Sequence, residues 1–423
     1  MQTAPEAPAT RAELDALRDE IRELKAAHEA DRAAAPVDSE SDPQLRLYGF
    51  ADIGLRKIFP SNDPLLRALT EQPLTFELGN VNLYFDAQPI PDWRALIETR
   101  FTTYPHGQES VDASGRFVRT DNRAFDTNSP SGRNKVIWSG IVLERAQIEH
   151  TVTDLLNVRV GYFLTPYGIW NVDHGTPTLI SLVLPAAQVE EAIPQRQLGA
   201  QLYGSLFSGA WELGYAAYVS NGRAPWLVDP TDNKAVGARL SAKTGEDRPL
   251  QIGLSGYYGD SQDETKQLDF STPGQVGITT TKRYYYKEWA LGADLSLDLG
   301  GFRLRTEGVV HRIKYDDGLH EPVSFGAPGQ FMPSRHLYYW YGIYAYRFGA
   351  FEPYAYTELR YITPRDSNYN LTYQPSLGLN VYLSSVSQLK AQYAAPKFYD
   401  TTGDNEPDSR NFRSFDLRYV MAF

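Results

Sequence analysis

Apolar and polar residues alternate with a period of two along most of the chain, from Gln44 to Phe423. In the stretch from Glu288 to Leu299, every second residue from Trp289 onward is apolar, and Asp294 and Asp298 fall between them. Side chains of a β-strand point to opposite faces in turn, so this pattern predicts strands with one apolar and one polar face. Such a chain folds as a sheet that places its two faces in different surroundings.

The alternation recurs in separate segments, which predicts about sixteen strands, a number in the range of bacterial outer-membrane barrels. The segments are 44–56, 76–88, 93–105, 139–151, 155–164, 197–207, 210–220, 234–243, 249–258, 285–299, 301–315, 335–348, 350–363, 368–383, 386–394 and 411–423.

Short and long connections alternate between these segments. The short links are 89–92, 154, 208–209, 300–301, 349–350 and 384–385, and the long links are 56–75, 105–138, 164–197, 259–284, 316–333 and 395–410. Most short links consist of good turn residues such as Gly, Pro, Asp and Ser. A membrane barrel has tight turns at one rim and long loops at the other, so the sequence predicts an all-β transmembrane antiparallel barrel.

Composition excludes several other classes of protein. The mean hydropathy is −0.42, and no run approaches the roughly 18 apolar residues of a membrane helix. The net charge of −11 disfavours nucleic acid as a partner, because phosphate backbones bind basic surfaces. The chain has no Cys, which excludes disulfides and thiolate metal sites. The 28 Tyr fit aromatic girdles at the two lipid interfaces.

The first 43 residues differ from the rest of the chain and predict a separate helical extension and linker. Leu14, Leu17, Ile21 and Leu24 follow the three- and four-residue spacing of a coiled-coil seam. This seam covers only about two heptads, too short for a stable isolated bundle. Two interpretations stay open, a solvated and partly helical leader or a trimer-forming stalk. The barrel domain is then 44–423.

The connection 164–197 is the longest link between two clear strands that keeps an apolar run, 179–187. Loops of more than about 12–15 residues without secondary structure are uncommon unless they have a function. A solvated loop has little reason to keep apolar residues. We therefore predict that this loop folds inward and packs inside the barrel.

Three pieces around this loop resemble the phosphate-selective porin family of Gram-negative outer membranes. They are Gly161–Tyr167 (GYFLTPY), Leu184-Pro185 and Ile193–Gly199 (IPQRQLG). The last segment, which ends at Phe423, resembles the closing strand of outer-membrane barrels. The resemblance implies a homotrimer in the bacterial outer membrane, with one pore per protomer narrowed by the inward loop and the N-terminal segment in the periplasm. It also implies membrane lipid and lipopolysaccharide, with small polar solutes or ions, as partners, and no cofactor.

The family's phosphate selectivity depends on a lysine cluster and an arginine ladder, and the charges here differ. The candidate constriction residues are Asp173, His174, Glu190, Glu191 and Arg196, which form an acidic set. The residues that parity directs into the lumen are Arg100, Arg159, Arg239, Arg303, Arg305, Arg360, Glu98, Asp294, Asp298, Glu307 and Glu358. A mixed lumen predicts a porin for passive diffusion of small polar solutes with weak selectivity. The alternative is an anion- or phosphate-selective channel.

A barrel enzyme is the remaining alternative, and it needs a nucleophile with a positioned base. His106 near Ser110 and His174 beside Asp173 form no recognisable catalytic motif, so we predict no enzyme activity. No phosphate-cradling glycine loop or metal spacing stands out, so no metal or cofactor is predicted. Asp400, Asp404, Glu406 and Asp408 could bind calcium or bridge lipopolysaccharide, or form a solvated acidic tip.

Overall fold

The computed structural model covers the barrel region of the chain. It describes residues 44–59, 61, 72–103, 108–111, 117–120, 138–153, 155–172, 175–223, 229, 231–244, 249–269, 277–316, 319–320, 332–364, 370–399 and 409–423. The predicted N-terminal helix, Asp173, His174 and the acidic residues of the last loop lie outside the described residues. Those predictions stay predictions.

Sixteen long strands make up the barrel wall in the described part of the chain. They are β1 (Gln44–Phe59), β2 (Gln72–Ile90), β3 (Trp93–Thr103), β4 (Trp138–Thr153), β5 (Leu156–Leu164), β6 (Arg196–Ser208), β7 (Trp211–Ser220), β8 (Ala235–Thr244), β9 (Leu250–Asp269), β10 (Gly277–Leu299), β11 (Phe302–Tyr315), β12 (Arg335–Tyr346), β13 (Phe351–Thr363), β14 (Leu371–Tyr382), β15 (Ser387–Ala394) and β16 (Arg413–Ala422).

Short strands lie in the long connections. Gln108–Val111 pairs with Phe117–Thr120, Leu319–His320 pairs with Met332–Pro333, and Lys397–Tyr399 pairs with Ser409–Asn411 and with β14. The described residues contain one short helix, α1 (Ala186–Val189), in the inward loop. No helix in the described residues is long and apolar enough to cross a membrane.

Each wall strand pairs antiparallel with the next, and the sheet closes when β1 pairs with β16. Phe50 faces Ala422 at the start of this seam, and Gly49 and Phe423 exchange two backbone hydrogen bonds of 2.8 and 2.9 Å. Closure leaves no unpaired sheet edge along the wall, as a strand structure in lipid requires. The prediction of an all-β, antiparallel barrel of about sixteen strands is confirmed.

The two faces of the wall are opposite to those of a soluble barrel. Outward side chains such as Leu240, Leu254 and Leu377 are apolar and exposed, whereas inward ones such as Glu98 and Lys390 are charged and fully buried. An apolar outside and a polar inside is the arrangement of a barrel surrounded by lipid.

One predicted loop is shorter than expected. The sequence predicted a long link over 259–284, but β9 and β10 stay paired from Leu250 and Leu297 out to Asp269 and Gly277. The alternation weakens there because polar residues dominate both faces of this part of the hairpin, so periodicity alone could not identify the strands.

We expect Gly49→Val to weaken closure of the barrel. A Cβ at Gly49 would lie 2.3 Å from the backbone oxygen of Asn82 in β2 and 3.1 Å from the Phe423 ring. The start of β1 would therefore have to shift away from β2, which also disturbs the closing contact with Phe423. Overpacking of this kind costs about 1–3 kcal/mol. The measurement is the temperature at which the folded band disappears from unboiled gels. Gly256→Ala is the control, because its Cβ would meet only Leu291 at 3.5 Å; equal melting of both variants would contradict the prediction.

Candidate functional site

Residues 165–172 and 175–195, between β5 and β6, lie inside the barrel and pack against its wall. Phe163 at the end of β5 and Tyr167 and Ile193 in the segment are almost completely buried. They belong to a cluster that includes Tyr218, Tyr257 and other aromatic residues of the inward wall. The apolar run 179–187 contributes Ile180 and Val183 to a second cluster against β12 and β13. The apolar run thus packs against the inward wall, and we call residues 165–172 and 175–195 the inward loop.

Side chains of β1, β14 and β15 hold the middle of the inward loop. Thr176 Oγ1 donates to Asp52 at 3.0 Å, and Asn380 Nδ2 donates to the Ile180 carbonyl at 3.0 Å. The further contacts on β15 are Lys390 Nζ to the Leu179 carbonyl, Gln388 Nε2 to the Pro177 carbonyl, and Ser181 Oγ to Gln392. The loop thus crosses the lumen and is tied to strands far from β5 and β6, where it begins and ends.

Two buried carboxylates of the wall, Glu307 and Glu358, bind backbone N–H groups of the inward loop. Glu307 of β11 accepts from the Ile169 N–H at 3.1 Å and from the Tyr341 hydroxyl at 3.1 Å. Glu358 of β13 accepts from the Ala186 N–H. Neither carboxylate forms an ion pair within 4.0 Å among the described residues. Their hydrogen bonds to the loop replace the cation that a buried acid usually needs.

The turn at Gly168 lies directly against the Glu307 carboxylate. Its φ is 61°, and a Cβ there would lie 2.2 Å from Glu307 Oε1, so glycine is needed for both the backbone conformation and the close approach. The nearby Tyr167 hydroxyl donates to Gln188 at 2.7 Å. Burial raises the pKa of Tyr167 well above its usual value, so it stays a neutral donor.

The described constriction candidates lie at two places. Glu190 pairs with Arg360 and accepts from the Tyr339 hydroxyl at 2.8 Å. Glu191 is half exposed and lies 3.9 Å from Arg223, which the sequence analysis did not single out. Arg196, at the start of β6, is mostly buried and pairs with Glu144 of β4. The two consecutive glutamates therefore face different arginines, Arg360 and Arg223, and Arg196 belongs to a separate ion pair on the wall.

Arginine side chains on the first strands are more exposed to solvent than the acidic side chains with which they pair. The side chains of Arg94, Arg56 and Arg100 are 43%, 39% and 35% exposed, and those of their partners Asp86, Asp416 and Glu144 are 14%, 8% and 0% exposed. Arg145 with Glu98 and Arg159 with Glu149 repeat this order. The wall formed by β1, β3, β4 and β5 presents guanidinium groups to the lumen, with carboxylates beneath them. We call this wall the arginine wall.

Three ion pairs elsewhere in the barrel have the reverse order. Asp298 of β10 is 47% exposed, and its partner Arg305 of β11 is 15% exposed. Glu190 and Glu191 of the inward loop are likewise more exposed than Arg360 and Arg223. In the closed order of sixteen strands, β11 is eight positions from β3. Exposed carboxylates therefore occur at Asp298 and on the inward loop. In two other pairs of the same half of the barrel, Arg303 with Glu352 (25% and 0%) and Arg239 with Asp294 (9% and 1%), the guanidinium group is the more exposed member.

The remaining predicted lining residues are also inward and paired. Arg239 forms a two-bond pair with Asp294 at 2.7 and 2.9 Å, and Arg303 pairs with Glu352 at 2.7 Å. The sequence analysis missed the acidic partners Asp52, Asp86, Glu144, Glu149, Glu352 and Asp416. Most of them have the inward parity of their strands, which was the signal that could have identified them.

A cavity of about 440 Å³ lies between the inward loop and the wall from β6 to β11. Its lining includes Pro166, Ile169 and Val172 of the loop and Arg239 and Lys243 of β8. Because the cavity is open and mostly polar, it is space for water and small solutes. Among the described residues, no group of three or more His, Asp or Glu could hold a metal ion.

Comparison with solved structures identifies similar barrels. An anion-selective porin from Comamonas acidovorans has a TM-score of 0.56 at 13% identity, over 90% of this chain and 100% of that chain. The outer membrane channel DcaP of Acinetobacter baumannii has a TM-score of 0.55 at 11% identity, over 91% and 99%. OmpT, an outer membrane protein of Vibrio cholerae in its trimer form, has a TM-score of 0.53 at 11% identity, over 90% and 100%.

No protein-family model and no curated protein matches the chain. The resemblance to the phosphate-selective family is therefore not confirmed. At 9–13% identity, the similarity to solved structures establishes the architecture only. The chain has the closed, sixteen-strand fold of these outer-membrane porin and channel structures.

Proposed function

We propose that the chain forms a water-filled channel in the bacterial outer membrane, through which small polar solutes and ions diffuse passively. The observation that carries this proposal is the inward loop, which narrows a charged and polar lumen inside a barrel with an apolar outer wall. The proposal includes no enzyme activity. It also includes a homotrimer, with the N-terminal segment in the periplasm, as the resemblance implies.

We assign the narrowest part of the channel to the inward loop and the arginine wall. Glu190 and Glu191 supply carboxylates from the loop side, and Asp173 and His174 belong to the same proposed set. Arg196 acts through its pair with Glu144. The charges that parity directed into the lumen complete the lining, namely Arg100, Arg159, Arg239, Arg303, Arg305, Arg360, Asp294, Asp298 and Glu307.

The presence of both exposed carboxylates and exposed guanidinium groups in the lumen supports weak ion selectivity. Charges of opposite sign on two sides of a narrow lumen create a transverse field, which orients dipolar solutes and attracts ions of both signs. Many of the described lumen charges are paired within 4.0 Å, and opposite charges in a pair partly cancel each other's field. Ohmic conduction with little preference for either ion follows from this arrangement.

Preference for anions is the second candidate. The three most exposed charges of the arginine wall are cationic, while their partners lie beneath them. One protein with the same fold is described as an anion-selective porin. The two candidates differ in the zero-current potential across a salt gradient, and in whether added phosphate blocks chloride current.

Thiol labelling of single-cysteine variants tests the proposed channel, because the chain has no Cys of its own. Val172 is half exposed and lines the cavity, and Glu191 is half exposed on the inward loop. We expect a bulky charged thiol reagent to reduce the bilayer conductance of the Val172→Cys and Glu191→Cys variants. Leu254→Cys, on the outward face, is the matched control. Absence of conductance in the unmodified protein, or equal reduction in all three variants, would overturn the proposal.

A further inference from the structure

Three cations stand next to one another on the outward face of β10 and β11. Lys287 and Lys314 are directly opposite each other in the strand register, and Arg312 is two residues from Lys314 on the same face. The alternate residues Glu288 and Ile313 are buried inside the barrel, so the three cations point outward. We call Lys287, Arg312 and Lys314 the outer basic patch.

Within the described residues, the outer basic patch has acidic residues nearby but no ion pair with them. None of the three cations forms an ion pair within 4.0 Å among the described residues, in contrast to the arginines of the lumen. Two acids lie nearby, Asp260 opposite Lys287 and Asp316 just after β11, and Asp260 is engaged by Asn233 at 2.7 Å. Like charges directly opposite each other destabilise a strand pair. This arrangement therefore suits an anion that binds between the two strands.

Arg312 gives a second, independent indication that an anion binds at the outer basic patch. Its Nε atom is shielded from solvent and has no hydrogen-bond partner among the described residues. A shielded donor without a partner is unfavourable, and a bound anion would supply the missing acceptor. Guanidinium groups match the geometry of phosphate oxygens.

Outward aromatic residues show where the patch lies relative to lipid. Trp289 is opposite Arg312, and the exposed side chains of Tyr258, Tyr285 and Tyr338 lie on the same strands or their neighbours. Such aromatics mark a membrane interface. The β9–β10 hairpin continues beyond them to Asp269 and Gly277, so this interface is on the side of the long loops. The exposed Leu291 and its neighbour Val310 continue the face toward the membrane interior.

We propose that the outer basic patch binds the phosphate groups of a phosphorylated lipid in the leaflet on the long-loop side. Given the outer-membrane channel proposed above, on which this inference rests, that lipid is lipopolysaccharide. Its phosphates contact Lys287, Arg312 and Lys314 at the interface, and its acyl chains contact the apolar face next to Leu291. Surface cations attract interfacial phosphates at this depth. Free phosphate has no acyl chains and would lack the contacts with the apolar face next to Leu291.

The test measures binding of diphosphorylated lipid A to the full-length protein in lipid-free detergent. We expect the K287Q/R312Q/K314Q variant to bind at least about ten-fold more weakly than the unmodified protein, because it lacks the three interfacial cations that attract the lipid phosphates. Lys57→Gln is the matched control. Lys57 is another outward lysine near the long-loop end, but it faces Phe415 of β16 rather than a second cation. Unchanged binding by the triple variant, or an equal loss in the control, would overturn the proposal.

Two further ligands separate the possible sources of phosphate. We expect dephosphorylated lipid A to bind weakly and inorganic phosphate at the same concentration not to compete. Equal binding of the dephosphorylated lipid, or equal competition by inorganic phosphate, would overturn the assignment to a lipid phosphate. Bilayer conductance of the triple variant, measured without glycolipid, reports on the channel separately. Normal conductance with lost lipid binding supports both proposals, and unchanged lipid binding with normal conductance overturns only this one.

Discussion

The double replacement Glu307→Ala and Glu358→Ala is expected to turn a steady channel into a noisy one with a higher mean conductance. These buried carboxylates accept hydrogen bonds from the N–H groups of Ile169 and Ala186. Each N–H left without a partner costs about 1–3 kcal/mol. The inward loop would then separate from β11 and β13 for part of the time, which widens the lumen. Single-channel recording in 1 M KCl measures the effect.

Two variants sharpen this test. Glu352→Ala removes another buried carboxylate from the inward face of β13, but that carboxylate binds Arg303, Asn380 and Tyr382 rather than the loop backbone. It should leave the channel steadier than the double variant does. The double glutamine variant at 307 and 358 keeps an acceptor oxygen at each position and should restore much of the normal behaviour. A steady, unchanged trace in the double alanine variant would contradict the role of these carboxylates.

The triple replacement R56Q/R94Q/R100Q is expected to shift the channel several-fold toward cations. It removes the most exposed guanidinium groups of the arginine wall. Asp86 loses its ion-pair partner, while Glu144 keeps Arg196 and Asp416 keeps Arg418 at 4.0 Å. The shift should be larger at 0.1 M salt than at 1 M, because the Debye length falls from about 10 Å to about 3 Å. Zero-current potentials in a KCl gradient measure it.

The opposite replacement gives the matched comparison. E190Q/E191Q removes the exposed carboxylates of the inward loop and should shift selectivity toward anions. Lys57→Gln removes a charge from the outer wall and should leave the zero-current potential unchanged. Equal potentials for the two lumen variants would mean that the ion path avoids both the arginine wall and the loop glutamates.

The sequence by itself determined the strands and the face that each strand turns inward. Alternation is local, because neighbouring side chains of a strand point to opposite sides whatever the strand pairs with. The charges assigned to the lumen by parity, such as Arg239, Asp294 and Glu307, lie inward for this reason. The apolar run 179–187 likewise indicated an inward loop, since water gives such a run no stable place at the surface.

Only the tertiary structure decided which groups meet. Asp52 pairs with Arg418 at a separation of 366 residues, and Ser181 meets Gln392 at a separation of 211. Local pattern contains no information about such distances, because barrel closure and the path of the loop bring these residues together. The sequence also treated Arg196, Glu190 and Glu191 as one acidic constriction, whereas the structure pairs Arg196 with Glu144 and Glu190 with Arg360. Which member of each ion pair faces the lumen depends on side-chain reach and packing, and these exist only once the barrel has closed.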